Sequence, residues 1–170
     1  MTLPSIRTER LVLRPWTNDD VDSLHQLWID PDVRRYLWDD IVISRERAAD
    51  AVRSHFQTAV ARGIGYWALH AADEDPLIGF CGFRDVDDAP EIEIVYGLAP
   101  ACWGRGLVTE AARAALNHFW TTGQTRVYGR TDPPNVKSIA VLQRLGFQQI
   151  SSLSPLLTFV LERPADSKKA

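Results

Sequence analysis

The sequence predicts an α/β fold with a mixed central sheet of about seven strands flanked by about four helices. Short runs rich in branched and aromatic residues alternate with longer stretches whose apolar residues recur at helical spacing. Prolines, glycines and N-capping residues stand at the boundaries between them. The predicted order is β-α-α-β-β-β-α-β-α-β-β, which is typical of helices packed on a sheet.

The first third of the chain predicts one strand and two helices. A strand around residues 11–13 is followed by Thr17, which is a favoured helix N-cap. The helix that begins there is expected to stop before Pro31, since proline disrupts a helix interior. Ser44 predicts the cap of a second helix, and Gly63 predicts its end.

The remainder alternates strands and helices. Strands are predicted at 66–71, 77–83, 91–98, 126–132, 147–152 and 157–161, and helices at 104–120 and from about 135 to Gly146. The chain is interpreted as a single domain over residues 1–170, with an ordered core at about 8–163 and a polar tail at 164–170.

Composition excludes several classes of protein. The net charge of −3 provides no basic field, so neither nucleic acid nor a membrane surface is expected as a partner. Cys81 and Cys102 form no CxxC pair, and the four histidines show no metal-ligand spacing. With no secretory signal and no run of about 18 apolar residues, a cytoplasmic location is expected.

A glycine-bearing loop joins the strand ending at Leu98 to the next helix. Gly104 and Gly106 allow close approach of the backbone to a ligand, and free N–H groups at a helix start suit a phosphate or pyrophosphate. Arg105 can add a charge-assisted contact. Neither the Walker pattern nor the dinucleotide fingerprint is satisfied, because residues 107–109 lack the required lysine and glycine. A turn that binds nothing therefore remains an alternative at this point.

Four segments, spread over most of the chain, resemble the GNAT superfamily of N-acetyltransferases. Within that superfamily they are similar to the branch of ribosomal-protein N-terminal acetyltransferases. The segments are Thr8–Pro15 with Asp19 and Asp20, Glu93–Pro100, Trp103–Ala111 and Asn135–Phe147. They occur in the family's order and at matching places on the predicted fold.

The resemblance implies acetyl-CoA as cosubstrate, no metal, and transfer of acetyl to a primary amine, either a protein N-terminus or a small molecule. It also implies a possible homodimer. The implied contacts to CoA come from the pyrophosphate loop, the neighbouring strand edge and the later helix: Trp103, Gly104, Arg105, Gly106, Leu107, Val108, Thr109, Tyr96, Leu98, Asn135 and Ser138. Ser138 would lie near the sulfur. Tyr36, Trp38 and Trp67 would line the acceptor site, although aromatic residues of this kind more often belong to the core.

Three positions depart from the family pattern. Val108 stands where glycine or alanine is usual, and Gly97 stands where this branch often has an aromatic residue. Leu142 occupies the position of a tyrosine that many relatives use to protonate the leaving thiolate. The usual acid is therefore absent from that position.

Acetyl transfer needs a base for the amine and stabilisation of the thiolate. Glu93 is the first candidate base, because its strand runs directly into the glycine loop, and Glu91 is the second. Both could instead form a solvated face or pair with arginines. Asn135 and Ser138 could equally serve as a helix cap and first-turn residue.

Two other functions stay open on the sequence. One is a CoA-binding sensor or interaction module that has lost activity, and the other is a nucleotide-binding protein that uses the loop for a different phosphate.

Overall fold

The computed structural model describes residues 3–73, 75–86, 90–151 and 155–165, and they form one eight-stranded sheet with five α-helices. The strands are β1 (Ile6–Arg7), β2 (Val12–Pro15), β3 (Tyr66–His70), β4 (Gly79–Asp85), β5 (Ile92–Leu98), β6 (Arg126–Thr131), β7 (Gln148–Ser151) and β8 (Leu157–Glu162). The helices are α1 (Val21–Ile29), α2 (Pro31–Arg34), α3 (Arg45–Arg62), α4 (Leu107–Thr121) and α5 (Val136–Arg144).

The strand order is β1-β2-β3-β4-β5-β6-β8-β7. Every neighbouring pair is antiparallel except β5 and β6, which run parallel. The chain reaches β6 from β5 through the glycine loop and α4, which is the crossover that a parallel pair requires. The predicted mixed α/β class is confirmed.

Local capping determines most helix ends. The Ser44 hydroxyl accepts a hydrogen bond from the Arg47 N–H at 3.2 Å at the start of α3, and Gly63 ends that helix with a left-handed φ of 68°. The Asn135 side chain accepts from the Ser138 N–H at 3.3 Å at the start of α5. These caps were predicted from residue type, and each is confirmed.

Three elements differ from the expectation. A short strand, β1, precedes the first predicted strand, and α2 begins at Pro31, where the chain was expected to leave helix. Asp30 caps α2 by accepting from the N–H groups of Asp32 and Val33. The helix α4 begins at Leu107 rather than residue 104, because the preceding glycines adopt left-handed backbone. Of the predicted strand 147–152, Ser152 lies outside the described residues.

The sheet separates two apolar layers. Buried residues of α4 and α5 pack on one face, and those of α1 and α3 pack on the other. The alternation of β5 follows this division: Ile94 and Leu98 join the α4 layer, and Val95 joins the α1 layer. Since successive strand residues face opposite sides, Glu93 and Tyr96 also lie on opposite faces of the sheet.

A histidine is buried beside the aromatic residues of the layer that contains α1 and α3. His55 is 5% exposed, and its Nδ1 accepts a hydrogen bond from the Tyr66 N–H at 3.1 Å. Its ring packs edge-on against Trp16 at a centroid distance of 5.4 Å. Burial lowers the pKa of His55 to about 4, so the folded protein holds the ring neutral.

We expect His55 to make stability depend on pH. The unfolded residue has its ordinary pKa of 6.5 and the folded one about 4, so the unfolded state binds the proton more readily between these values. The neutral His55 ring contributes fully to the free energy of unfolding above pH 6.5, and this contribution is lost as pH falls to 4. The loss reaches about 3 kcal/mol. Urea unfolding across this range should give a shallower pH dependence for His55→Gln than for wild type. Parallel curves would contradict the assignment.

Candidate active site

The site is built around an opening between β5 and β6. The strand β5 pairs with β4 along its whole length, from Ile92 to Leu98. Its register with β6 contains a single pair, Glu93 with Tyr128. Beyond that pair the two parallel strands diverge, and the second half of β5 presents one edge to the opening.

The hydrogen bonds between β4 and β5 determine which backbone groups of β5 face the opening. The Ala99 N–H donates to the Ile78 carbonyl on the β4 side at 2.8 Å. Because antiparallel residues alternate in direction, the backbone groups of Tyr96 and Leu98 point to the opposite side. The Leu98 carbonyl accepts from the Trp103 indole N–H at 2.7 Å, which anchors the following loop.

The glycine loop leads into an uncapped helix. Gly104 and Gly106 have φ values of 73° and 74°, a conformation that side chains disfavour. Gly106 is the N-cap of α4 and offers no side-chain hydrogen bond, so the first N–H groups of the helix remain uncapped. Thr109 is 8% exposed, and its hydroxyl has no partner among the described residues. Unpaired donors of this kind fit an anionic ligand such as a pyrophosphate.

A groove of about 620 Å³ runs along this loop between α4 and α5. Nearly all of the residues predicted to contact CoA line it: Tyr96, Leu98, Trp103, Gly104, Gly106, Leu107, Val108, Thr109, Asn135 and Ser138. Arg105 is exposed and is not part of the described lining, so its contact with a ligand stays a prediction. Lys137 lies over the Trp103 ring, with Nζ 3.8 Å from the centroid, and places a cation beside the groove.

A second, larger cavity of about 990 Å³ lies between the sheet and the segment that connects α2 to α3. Tyr36 and Trp38 line it, and their place in an acceptor site stays a prediction. Trp67 belongs to the core, which was the alternative for these aromatics, because its ring is fully buried in the α4 layer and its indole N–H donates to the Pro4 carbonyl at 2.8 Å.

Glu93 lines this cavity and forms an ion pair. Its side chain is 6% exposed, and Arg84 lies directly opposite on β4. Arg84 Nε and Nη2 both donate to Oε2 of Glu93, at 3.1 and 2.9 Å. Glu91 pairs with Arg130 instead and does not belong to the described lining. The structure therefore places the first candidate base in the cavity and the second outside it.

A tyrosine–serine pair connects the groove and the cavity. The Tyr96 hydroxyl lies 3.0 Å from Ser138 Oγ and 3.3 Å from the Ser138 carbonyl. Burial raises the pKa of Tyr96, so its phenol stays protonated at neutral pH. Tyr96, Asn135 and Ser138 line both the groove and the cavity. No local spacing relates residues 96 and 138, so this pair has no signal in the sequence.

Two of the three departures from the family pattern, at positions 142 and 97, have structural reasons. Leu142 is 1% exposed, and a Cβ on Gly129 would lie only 2.5 Å from its side chain, so this position packs α5 onto β6. A Cβ at Gly97 would lie 2.6 Å from the Phe80 ring. Phe80 thus occupies the space that an aromatic residue at position 97 would need.

The two free cysteines differ in position, and only Cys102, which is partly exposed, lines the groove. Cys81 is fully buried, and burial raises the pKa of its thiol to about 12. Within the described residues, no three His, Cys, Asp or Glu side chains are placed to hold a metal ion. None of the helices in the described part of the chain has the length and apolar character needed to cross a membrane.

The fold places a groove with unpaired donors next to a second cavity, an arrangement that suits a transferase with two substrates. The comparison with protein families gives the same class: the family described as "Acetyltransferase (GNAT) domain" matches residues 10–148. The chain belongs to this GNAT acetyltransferase family, whose members use acetyl-CoA, and it is an N-acetyltransferase.

Two curated relatives illustrate the range of the family. An uncharacterized N-acetyltransferase, p20 of Bacillus licheniformis, is 29% identical over 149 residues, which are 86% of this chain and 84% of that protein. Spermidine N(1)-acetyltransferase of Escherichia coli is 25% identical over 146 residues, covering 85% of this chain and 75% of the relative.

Solved structures share the fold. An acetyltransferase from Agrobacterium tumefaciens superposes with a TM-score of 0.83 at 23% identity, covering 96% of both chains. The ribosomal L7/L12 alpha-N-protein acetyltransferase RimL, in complex with coenzyme A, gives a TM-score of 0.76 at 21% identity, covering 94% of this chain and 98% of RimL. At these identities the likeness establishes the fold alone.

We expect Gly106→Glu to abolish CoA binding, because a carboxylate would occupy the anion site and φ of 74° would be strained. Gly123→Glu is the matched control, since Gly123 also has a left-handed φ, open space around its Cβ position, and no part in the described groove lining. Isothermal titration with CoA measures both variants. Wild-type affinity in a folded Gly106→Glu protein would exclude the loop as the phosphate site.

Proposed function

We propose that the protein transfers the acetyl group of acetyl-CoA directly to a primary amine held in the cavity. The supporting observation is that the groove and the cavity meet at Tyr96, Asn135 and Ser138. Both reactants can then be bound at once, and no covalent acetyl-enzyme is needed. Holding two reactants in place can supply about 7–11 kcal/mol of the barrier in favourable cases.

In this proposal the cofactor lies in the groove, with its pyrophosphate on the N–H groups that begin α4. Tyr96 and Leu98 offer their backbone groups to the pantetheine arm as a neighbouring strand would. Acetyl-CoA supplies an activated thioester with a thiolate leaving group. The side chains of this protein act on the proton of the amine and on the charge of the sulfur.

Glu93 is the proposed base. An amine rests as ammonium, with a pKa of about 8 for an α-amine and about 10.4 for lysine, and must lose a proton as it attacks the carbonyl. Arg84 holds Oε2 of Glu93 in place through two hydrogen bonds, while Oε1 has no hydrogen bond among the described residues. The free oxygen is the one available to accept the proton.

Ser138 is the proposed donor to the departing sulfur. The Tyr96 O–H donates to the Ser138 carbonyl at 3.3 Å and also lies 3.0 Å from Oγ. When the phenol turns its proton to Oγ, the serine proton is free for the sulfur. Tyr96 then acts as a positioning residue for Ser138. Ser138 can then stabilise the thiolate although position 142 is not a tyrosine.

A cationic acceptor is favoured by the charges around the cavity. Three of its four arginines pair with carboxylates: Arg84 with Glu93, Arg130 with Glu91, and Arg35 with Asp32. Arg47 lies over the neutral Trp38 ring and has no carboxylate partner within the described residues. Asp39 and Asp132 also line the cavity and form no ion pair within the described residues. These two aspartates outnumber Arg47, so the charge left without a counter-ion is negative on balance.

The names of the relatives support two forms of amine, a protein N-terminus and a polyamine. A thiol-release screen with acetyl-CoA, using N-terminal peptides and small diamines in parallel, tests the activity and chooses between them. CoA binding without thiol release for any amine would indicate a CoA sensor instead.

We expect Ser138→Ala and Tyr96→Phe each to lower kcat about tenfold with a smaller effect on the KM of acetyl-CoA, since the interaction forms mainly in the transition state. The double variant should be little worse than either single one, because both changes remove the same hydrogen bond. Tyr128→Phe, on β6, is the matched tyrosine control. Fully additive losses would contradict a shared role.

We expect Glu93→Gln to lower kcat/KM at least about tenfold at neutral pH, since general base catalysis typically contributes 10²–10⁴-fold. The defect should shrink as pH approaches the pKa of the amine, where free base forms without help. Glu91→Gln removes a carboxylate two residues away, outside the described cavity lining, and should leave the profile nearly unchanged. Parallel pH profiles for wild type and Glu93→Gln would contradict the assignment.

A further inference from the structure

The segment around Thr8 and Arg10 lies against the first turn of α4 and is held there by Glu110. The Thr8 hydroxyl and the Arg10 N–H donate to Oε1 of Glu110, at 2.6 and 2.9 Å. The guanidinium of Arg10 donates to Oε2 through Nε at 2.7 Å, and its Nη2 lies 2.7 Å from the same oxygen in an ion pair. Both oxygens of the carboxylate therefore accept hydrogen bonds from a segment that lies 100 residues away in the sequence.

The same guanidinium also reaches the glycine loop. Nη1 of Arg10 donates to the Arg105 carbonyl at 2.8 Å. Nη2 lies 3.7 Å from the position that a Cβ on Gly106 would take. One side chain therefore connects the first turn of α4 to the peptide that joins Arg105 to Gly106.

This contact determines which way that peptide faces. A trans peptide holds its C=O and N–H in opposite directions, and no cis peptide is present among the described residues. Fixing the Arg105 carbonyl toward Arg10 therefore turns the Gly106 N–H away from it. The peptide lies between Gly104 and Gly106, whose backbones can rotate readily, so an external contact is needed to hold one orientation.

The ion pair also resolves an electrostatic conflict. A carboxylate in the first turn favours the helix dipole, but it would repel an anion bound at the helix start. Burial disfavours the charged form of Glu110, yet hydrogen bonds from Thr8 and Arg10 outweigh it and lower the pKa of Glu110. Arg10 supplies the opposite charge, so the carboxylate stays ionised but is neutralised locally.

We propose that Arg10, held by Glu110, is a positioning residue that presets the Arg105–Gly106 peptide of the glycine loop for binding the pyrophosphate of CoA. We name this contact the Arg10–Glu110 clamp. The inference rests on the proposed function, in which CoA occupies this loop.

Arg10→Lys is the decisive variant, because it keeps the positive charge but cannot span Glu110 and the Arg105 carbonyl together. In calorimetric titration with CoA, its Kd should rise about tenfold or more. In the ligand-free protein, amide hydrogen exchange of residues 104–107 should be faster than in wild type. At saturating acetyl-CoA, kcat should stay within about twofold.

Arg7→Lys is the matched control, since Arg7 is on the same segment and pairs with Asp73 on the surface. It should leave Kd and exchange unchanged. The double variant, Arg10→Lys with Glu110→Gln, should raise the Kd for CoA no more than the single variant with the larger effect does.

If folded Arg10→Lys keeps the wild-type Kd for CoA and the wild-type amide exchange, the clamp is overturned and the proposed function is not. Absence of CoA binding by the wild type would overturn the proposed function and the clamp with it. A weakened Kd with unchanged loop exchange would also overturn the clamp, because the effect would then be one of charge and not of peptide orientation.

Discussion

The divergence of β5 from β6 is the constraint on which the site depends. A strand edge inside a sheet leaves polar backbone groups that need partners, and a folded protein normally supplies them. Here the parallel register ends at Glu93 and Tyr128, and the helix α5 lies beside the opening instead of a continued ladder. The close packing of Leu142 on Gly129 keeps α5 against β6, while Tyr96 reaches across to Ser138. The opening is thus lined by backbone and hydroxyl groups that a ligand can satisfy.

The twofold periodicity of β5 divides the chemistry between two faces of the sheet. Glu93 faces the cavity beside Arg84, and Tyr96 faces α5 beside Ser138. In the proposed mechanism, one strand therefore carries the base on one side and, on the other, the tyrosine that positions Ser138. The acetyl group would pass through the opening between these faces, where Asn135 and Ser138 lie. This arrangement is a consequence of strand geometry and does not require a mobile segment.

Local signals in the sequence predicted the fold more fully than the site. The caps at Ser44 and Asn135 depend on neighbours within a few residues, and both are found in the structure. The strand β1 has only two residues and no pattern of its own, and Trp67 could not be assigned to a face without knowing which layer its strand covers. The pairs Tyr96–Ser138 and Arg10–Glu110 join residues 42 and 100 positions apart, so no spacing in the sequence could have indicated them.

The ion pair at Glu93 is compatible with catalysis because positioning carries most of the proposed mechanism. Arg84 donates to Oε2 of Glu93 at 3.1 and 2.9 Å, so the guanidinium occupies one carboxylate oxygen and only the other can meet an amine. A strong base would be needed if the amine had to be captured from solution, but an amine held beside a bound thioester reacts with a large entropic advantage. Under those conditions the carboxylate need only accept a proton that becomes acidic as the bond between nitrogen and carbon forms. Arg84 also fixes the carboxylate in place and supplies the partner that a buried charge requires in this cavity.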